Sequence, residues 1–422
     1  MNLERLVAGL DIGSAKTTAV IAEVVGDLPK HPTVNILGVG QARTTGLRRG
    51  VVADIEETQR SITKAMQDAE RMAGARVETV YAGIAGEHVQ AMTSTGIASV
   101  TGHEITRADV DRANAVARAQ AIPQDRELIH AIPQEYTVDK NQGVRDPVGM
   151  IGTRLETEMY LVTIGSSPAM NLRKAVERAG YRVGELVLEP LASALSVLTE
   201  EEKELGVALV EIGAGTTDVA VFHEGKIRHL GTIAFGGLNV TSDIVHGLGV
   251  TALDAERLKE QYGAAYEPLV KVTGEIIKLP STGAQGDREI PRELLAHIIH
   301  QRTQEIFEMV LRDLESHHLL SKMAAGVVVT GGAAAQPGTD LLANDVFGIG
   351  ARIGVPGDML GGLADSIQSP RFSTVTGLVQ YGAHRVALTG SQGKGRRLSL
   401  SNAAPNMDGM AQRFKTWLQD WF

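Results

Sequence analysis

The chain has 422 residues, of which 43% are hydrophobic and 22% are charged, and its formal net charge is −9 at pH 7. This composition suits a large folded body or several packed subdomains, and it excludes a disordered or collagen-like protein. The absence of cysteine excludes disulfides, thiolate metal sites and cysteine nucleophiles, and the acidic balance argues against nucleic acid as a partner.

The hydropathy pattern predicts a cytoplasmic protein. Residues 1–9 contain Glu4 and Arg5 and lack the apolar core of a signal peptide. No run of 18 apolar residues is present to span a bilayer. Residues 389–422 hold five basic and two acidic residues, so a basic tail follows an acidic body.

The first predicted elements are a hairpin and a helix. Apolar runs flank a glycine turn in Leu6–Val24, which predicts a strand, a tight turn and a returning strand. A helix is predicted over Asp54–Gly74, with Asp54 as its N-cap and with Ile62 and Met66 on its buried side.

Residues 82–163 are predicted to form a separate small α+β subdomain inserted in the first half of the chain. Strand-like runs precede and follow this segment, at Val77–Ala85 and Met159–Ile164. Between these runs lie a short helical pattern, Arg107–Ala121, and extended segments that contain proline.

A second glycine hairpin repeats the first at an offset of 200 residues. In Val207–Phe222, Glu211-Ile212-Gly213 aligns with Asp11-Ile12-Gly13 of the first hairpin. Solenoid repeats are far shorter than this offset, so the repeat predicts two related halves. Strands that alternate with helices predict an α/β fold with a mainly central sheet.

Two further elements are predicted in the second half. Apolar residues recur at helical spacing in Pro291–Leu320, which predicts a long helix. Gly326–Gly338 predicts a buried strand and a diglycine turn that enters a helix. His297 and His300 have no evident third metal ligand, and His317 and His318 are expected to be solvated surface residues.

The two hairpin turns are candidate phosphate sites, because glycine turns expose backbone N–H groups to an anion. Ser14 adds a hydroxyl and Lys16 a positive charge, while Asp11 and Asp218 are suited to hold a hydrated Mg²⁺ through its waters. Neither turn has the P-loop or Rossmann pattern. Each turn taken alone is also compatible with an ordinary hairpin.

The end of the chain is predicted to be a linker, 389–406, followed by an amphipathic helix, 407–422. On a helical projection the apolar residues fall within an arc of about 140°. These membrane candidates are Met410, Phe414, Trp417, Leu418, Trp421 and Phe422. The pattern is typical of a helix that lies in a membrane interface, and docking on the protein's own body is the alternative.

The paired turns and the later TGG sequence resemble the superfamily of actin, sugar kinases and ATP-driven chaperones. The resemblance implies a two-lobed fold with ATP and Mg²⁺ between the lobes. The ligand-binding residues that it implies are Asp11, Gly13, Ser14, Lys16, Gly213, Gly215, Thr216, Thr217, Asp218, Gly236, Gly237, Glu256, Lys259, Gly331 and Gly332. The superfamily often has Asp where Glu211 stands. Glu189 matches the position of a water-orienting acid, and ATP hydrolysis is expected to be weak at most.

Two segments of the insert narrow the resemblance. HAIPQEY within Leu128–Asp139 and DPVGMIGTRLE at Asp146–Glu156 resemble the FtsA family of bacterial actin-like division proteins. That family implies an FtsZ-tail site at Arg288, Arg302 and Glu305, self-association into filaments, an anionic membrane surface and later division proteins as partners. The implied location is the cytoplasmic face of the cell membrane at the division site.

The resemblance also implies a division of the chain into segments. The predicted segments are the first lobe (1–81, 164–198 and 370–388), the insert (82–163), the second lobe (199–250 and 325–369), its outer subdomain (251–324), the linker and the tail helix. The alternatives are a pilus-assembly type of actin-like adaptor, which would not end in a membrane helix, and a small-molecule kinase of the same superfamily.

Overall fold

A computed structural model describes residues 5–27, 31–270, 274–279, 288–357 and 360–390. The predicted tail helix, 407–422, with all six of its membrane candidates, lies outside these ranges, as does the predicted linker apart from residues 389 and 390. None of the helices in the described ranges is both long and apolar enough to cross a membrane.

The first lobe starts with an antiparallel hairpin and a helix that covers it. Its elements are β1 (Leu6–Ile12), β2 (Lys16–Asp27), β3 (His31–Arg43), β4 (Leu47–Arg48), β5 (Val51–Val52), α1 (Ile55–Ala73) and β6 (Thr79–Ile84). Asp54 caps α1 by accepting hydrogen bonds from the amides of Glu56 and Glu57, and Ile62 and Met66 are among the buried residues of α1. The predicted helix and its N-cap are confirmed.

The insert forms a sheet of its own, with a helix on one face. Its elements are β7 (Gln90–Ser99), α2 (Arg107–Arg118), β8 (Arg126–Val138), β9 (Asn141–Val144) and β10 (Arg154–Gly165). The four strands are antiparallel in the order β7-β10-β8-β9. Residues 82–84 still belong to β6 in the first lobe, so the separate sheet begins later than residue 82.

The chain then returns to the first lobe and crosses to the second. The elements of this passage are α3 (Ser166–Arg178), β11 (Arg182–Leu188), α4 (Glu189–Val197) and α5 (Glu200–Leu205). β11 pairs in parallel with β6, which places the start of α4 at the carboxyl edge of the first sheet.

The second lobe follows, with β12 (Val207–Ile212), β13 (Thr217–His223), β14 (Lys226–Ile233), α6 (Gly237–Leu248), α7 (Ala252–Tyr262), β15 (Ile276–Leu279), β16 (Arg288–Pro291), α8 (Arg292–Ser316), β17 (Val327–Thr330), α9 (Thr339–Phe347) and β18 (Ala351–Ile353). The last two elements, β19 (Leu360–Gly362) and α10 (Ser373–Gly390), return to the first sheet. The first sheet has the order β11-β6-β1-β2-β3-β19 and the second β14-β13-β12-β17-β18.

The two lobes repeat one topology. β1 pairs antiparallel with β2 and parallel with β6, and β12 pairs antiparallel with β13 and parallel with β17. The registers also correspond, because Asp11 lies opposite Thr18 and Glu211 lies opposite Asp218. The predicted hairpins, the predicted repeat and the α/β class are therefore confirmed.

Two predicted helix boundaries differ from the structure. α8 ends at Ser316, because His317 is its C-cap and His318 has a positive φ of 55° that leaves the helical path. After β17 the diglycine turn enters a short 3₁₀ turn, Gly332–Ala335, and α9 begins only at Thr339.

The helices α4 and α10 cross in backbone contact. A Cβ atom built on Gly377 of α10 would lie 1.7 Å from the carbonyl oxygen of Ala192 in α4. Any side chain larger than hydrogen at position 377 must therefore move one of the two helices. Both helices are buried along most of their length.

We expect Gly377→Ala to lower the stability of the protein, although alanine favours helix formation by about 1 kcal/mol. Overpacking of a tight contact costs roughly 1–3 kcal/mol, and here the clash is with backbone. Thermal unfolding of the full chain measures the effect. Gly350→Ala is the control, because its Cβ would meet nothing within 4 Å. Equal midpoints for both variants would contradict the contact.

Candidate functional site

The two hairpin turns face each other between the lobes. Each turn is closed by one backbone hydrogen bond, from Gly13 N to Lys16 O at 3.1 Å and from Gly213 N to Thr216 O at 2.9 Å. A Cβ atom on Gly215 would lie 2.9 Å from Ser14 Oγ. The predicted phosphate residues of the two halves therefore line one cleft.

Four carboxylates gather at the bottom of this cleft. Asp11 lies on β1, Glu189 begins α4, Glu211 lies on β12 and Asp218 lies on β13. Glu211 and Asp218 are buried, whereas Asp11 and Glu189 are half-buried. Clustered carboxylates that are withdrawn from water are stable only when positive charge or hydrogen bonds compensate for their lost hydration.

The electrostatics of the cleft favour the protonated acids. Burial raises the pKa of Asp11 and of Glu211 to about 7, and that of Asp218 to about 6. Burial and the charges of the other three carboxylates raise the pKa of Glu189 well above its usual value. Without a cation, the cluster therefore holds protons near neutral pH.

Hydroxyl groups orient the two buried acids. Glu211 accepts a hydrogen bond from Ser193 Oγ of α4 at 2.8 Å and another from Thr374 Oγ1 of α10. Asp218 accepts from Thr232 Oγ1 at 2.6 Å and from Thr216 Oγ1 at 3.1 Å. Sequence reasoning missed Ser193, Thr374 and Thr232, because no local motif links them to the turns.

Glu189 has room because its neighbour lacks a side chain. A Cβ atom on Gly83, near the end of β6, would lie 2.9 Å from Glu189 Cγ. The carboxylate therefore rests over Gly83 on the cleft side of α4. Lys16 Nζ lies 3.6 Å from Glu260 Oε1 of α7, so an exposed ion pair bridges the mouth of the cleft.

The predicted adenosine-side residues form a second cluster beside the turn at Gly213. Gly237 N donates to Gly213 O at 2.9 Å. Lys259 Nζ donates to Gly237 O at 3.0 Å and to Glu256 Oε2 at 2.8 Å. This contact joins α7 to the N-terminus of α6.

The predicted diglycine turn completes that wall. A Cβ atom on Gly331 would lie 2.5 Å from Ile212 O, and its φ of 88° also favours glycine. Gly332 has nothing within 4 Å of its Cβ position and faces open space. Gly236, the N-cap of α6, has its Cβ position 2.7 Å from Gly213 O, so Gly236 also belongs to this wall.

The acids fit a hydrated cation better than direct coordination. Among the described residues, three potential metal ligands come within 4.8 Å of one another at His229, Asp313 and His317, which lie outside the cleft. The cleft acids do not form such a group. Carboxylates set farther apart suit Mg²⁺, which keeps several of its waters.

A separate groove lies in the outer part of the second lobe, between the end of α6 and the start of α8. The groove has a volume of about 610 Å³ and is lined by Gly247, Leu248, Gly249, Arg288, Glu289, Ile290 and Leu294. Arg288 donates to Leu248 O. Arg302 pairs with Asp243 and Glu305 and does not line this groove, so the three predicted tail-binding residues are divided between two places.

Two family models match the chain. The model described as cell division protein FtsA matches residues 208–377, and the model described as the SHS2 domain inserted in FTSA matches residues 86–163. The second match spans the inserted sheet.

Solved structures share the actin-like fold at low sequence identity. The PilM–PilN type IV pilus biogenesis complex gives a TM-score of 0.63 at 16% identity, covering 89% of this chain and 98% of that chain. MreB5 of Spiroplasma citri bound to ADP gives 0.55 at 16% identity, covering 93% and 100%.

Curated relatives extend the likeness along nearly the whole chain. The cell division protein FtsA of Pseudomonas aeruginosa is 39% identical over 422 residues, covering 99% of this chain and 98% of the relative. FtsA of Escherichia coli K12 is 36% identical over 429 residues, covering 99% and 98%. The actin-like fold, the insert and this identity agree, and the chain belongs to the FtsA family of cell division proteins.

Proposed function

We propose that this chain binds ATP between its lobes and tethers FtsZ filaments to the cytoplasmic face of the cell membrane. In this role it supports assembly of the Z ring and recruits later division proteins at the division site. The nucleotide part rests on one observation, the enclosure of four carboxylates by two facing turns. The identities of 36–39% to FtsA proteins favour this role over the pilus-type adaptor, and nothing in the described residues favours a kinase.

Different residues of the cleft are proposed to bind the phosphates, the adenosine and the metal ion. Ser14, Lys16 and the amides of the two turns are positioned for the phosphates, and the wall formed by Gly237, Lys259 and Gly332 for the adenosine. Asp11 and Asp218 would hold Mg²⁺ through its waters. When bound, this ion neutralises charge on the phosphates and on the carboxylates.

Glu189 is the candidate to orient an attacking water. It lies at the cleft side of α4, above Gly83. Burial and the neighbouring carboxylates raise its pKa, which disfavours the charged form that would accept a proton from water. We therefore propose a weak ATPase at most.

Loss of phosphate contacts is expected to weaken ATP binding. Lys16→Ala removes a charge-assisted hydrogen bond worth about 1.5–3 kcal/mol, so affinity should fall about tenfold or more. Thr216→Ala removes a hydroxyl and loosens Asp218, with a smaller effect. Calorimetric titration of the full chain with Mg-ATP measures both. Lys64→Ala, on the exposed side of α1, is the control. Unchanged affinity in both cleft variants would refute the site.

The acid cluster predicts a distinctive pH dependence. Because the pKa of Glu211 is raised to about 7, its contribution to stability is present below its unfolded pKa and is lost as pH rises through 7. Glu211→Gln removes this loss. The nucleotide-free variant should differ little from its parent near pH 5 and exceed it by about 3 kcal/mol near pH 8, because burial raises the pKa of Glu211 from 4.5 to about 7 and one pKa unit is worth about 1.4 kcal/mol.

Thermal unfolding at both pH values checks this difference. With Mg-ATP, the parent should be more stable than Glu211→Gln at the higher pH, because the four carboxylates of the parent attract the cation more strongly than the three of the variant. Glu260→Gln, which removes an exposed acid at the mouth of the cleft, is the control for the loss of one carboxylate. A variant that is less stable than its parent at both pH values would contradict the assignment.

The tethering role rests on two surfaces. The groove beside α8 combines the Arg288 guanidinium with Ile290 and the exposed Leu294, which suits an acidic and apolar peptide such as the FtsZ tail. The predicted tail helix supplies the membrane contact. One such helix binds weakly and reversibly, so self-association into a filament would multiply the contacts and strengthen attachment.

Co-sedimentation with anionic vesicles tests both surfaces at once. The full chain with Mg-ATP should pellet with vesicles and carry FtsZ with it. A chain that ends at Asn406 should leave both proteins in solution, because it lacks the tail helix. Leu294→Asp should pellet alone, because a charge in the groove repels an acidic peptide.

Leu341→Asp is the matched control, since Leu341 is an exposed leucine on another helix of the same lobe. It should behave like the parent. Equal pelleting of the full and shortened chains would overturn the membrane role of the tail. Equal FtsZ recovery by Leu294→Asp and Leu341→Asp would overturn the groove assignment.

A further inference from the structure

Two histidines and an aspartate meet at the free edge of the second sheet. His229 lies on the edge strand β14, and Asp313 and His317 lie at the C-terminal end of α8. His229 Nε2 is 2.7 Å from Asp313 Oδ2, and His317 Nδ1 is 3.5 Å from Asp313 Oδ1. One ligand atom from each residue lies within 4.8 Å of the others.

A glycine leaves space beside this cluster. A Cβ atom built on Gly231, two residues along β14 from His229, would lie 2.9 Å from both Asp313 Oδ2 and His229 Nε2. Residue 231 faces the same side of the strand as His229, because side chains alternate along a strand. Because Gly231 has no side chain, Asp313 Oδ2 and His229 Nε2 keep space that the Cβ of any other residue would occupy.

The position at the end of α8 favours a cation. The C-terminal end of a helix carries partial negative charge from its unpaired carbonyl groups. His317 Nδ1 lies 2.9 Å from the carbonyl oxygen of Asp313 and 3.1 Å from Ser316 Oγ, which orients the ring. The rings of His229 and His317 have centroids 4.1 Å apart, so both imidazoles border the same small space.

We propose that His229, Asp313 and His317 bind a divalent transition metal of the zinc class. Two imidazoles and one carboxylate form a three-ligand set that leaves a fourth position open to water. His229 is 12% exposed and His317 is 51% exposed, so the open position faces solvent. Tetrahedral ligands about 2.0 Å from zinc lie about 3.3 Å apart, and the contacts of 2.7 Å and 3.5 Å between Asp313 and the two imidazoles lie on either side of that spacing.

An ordinary ion pair is the competing explanation, and the same helix provides an example. His297 Nδ1 of α8 lies 2.9 Å from Glu267 Oε2, and no third ligand joins that pair among the residues described. The cluster at the sheet edge differs by its third ligand and by the space at Gly231. His297 is therefore the matched control.

Titration of the nucleotide-free full chain with Co²⁺, in excess Mg²⁺ to occupy the cleft acids, tests the site. We expect one ion per chain with the visible absorption of four-coordinate Co²⁺, displaced by Zn²⁺. Zn²⁺ should also raise the thermal unfolding midpoint, because it binds the folded chain. His229→Gln and His317→Gln should each weaken binding by about tenfold or more, since each removes a ligand.

Gly231→Ala should also weaken binding, because its Cβ would crowd two ligand atoms although all three ligands remain. The backbone accepts alanine at this position, because the φ of Gly231 does not lie in the left-handed region. His297→Gln should bind like the parent. Co²⁺ binding that is equal in His229→Gln, His317→Gln and the parent would overturn the proposal. Loss of binding in His297→Gln equal to that in His229→Gln would do so as well.

Discussion

Burial of negative charge at the junction of the lobes is the constraint on which the rest of the structure depends. Glu211 would be costly to enclose without partners, and it takes them from both crossing helices, Ser193 of α4 and Thr374 of α10. The same carboxylate therefore belongs to the cleft and to the framework that joins the lobes. A change of charge in the cleft acts directly on that framework.

The insert is connected to the same region through one buried imidazole. His130 Nε2, on β8, accepts a hydrogen bond from the amide of Leu188 at 3.0 Å, and Leu188 directly precedes Glu189. Burial lowers the pKa of His130 to about 4, so the ring stays neutral and keeps a lone pair for this amide. The inserted sheet is thus held to the strand end that delivers Glu189 to the cleft.

The sequence allowed the fold to be predicted where its signals were local or repeated. The glycine hairpins, the capped helix α1 and the correspondence of Asp11 with Glu211 could all be recognised from short patterns. The hydroxyl partners of Glu211 could not, because Ser193 and Thr374 are 18 and 163 residues away and only the packing of α4 and α10 brings them near. His317 and His318 are exposed, as expected, but the proximity of His317 to His229 could not be predicted, because the two residues are distant in the chain.

The crossing of α4 and α10 has a mechanical consequence. Because Gly377 brings the two helices into backbone contact with Ala192, no layer of side chains remains there that could slide or compress. Rotation of one helix against the other at this contact is then easier than sliding, and displacement in such a rotation grows with distance from the contact. Any rotation about the crossing would therefore displace the outer ends of the lobes farther than the walls of the cleft. In a polymer assembled from this chain, the helical twist would be a readout of the width of the cleft.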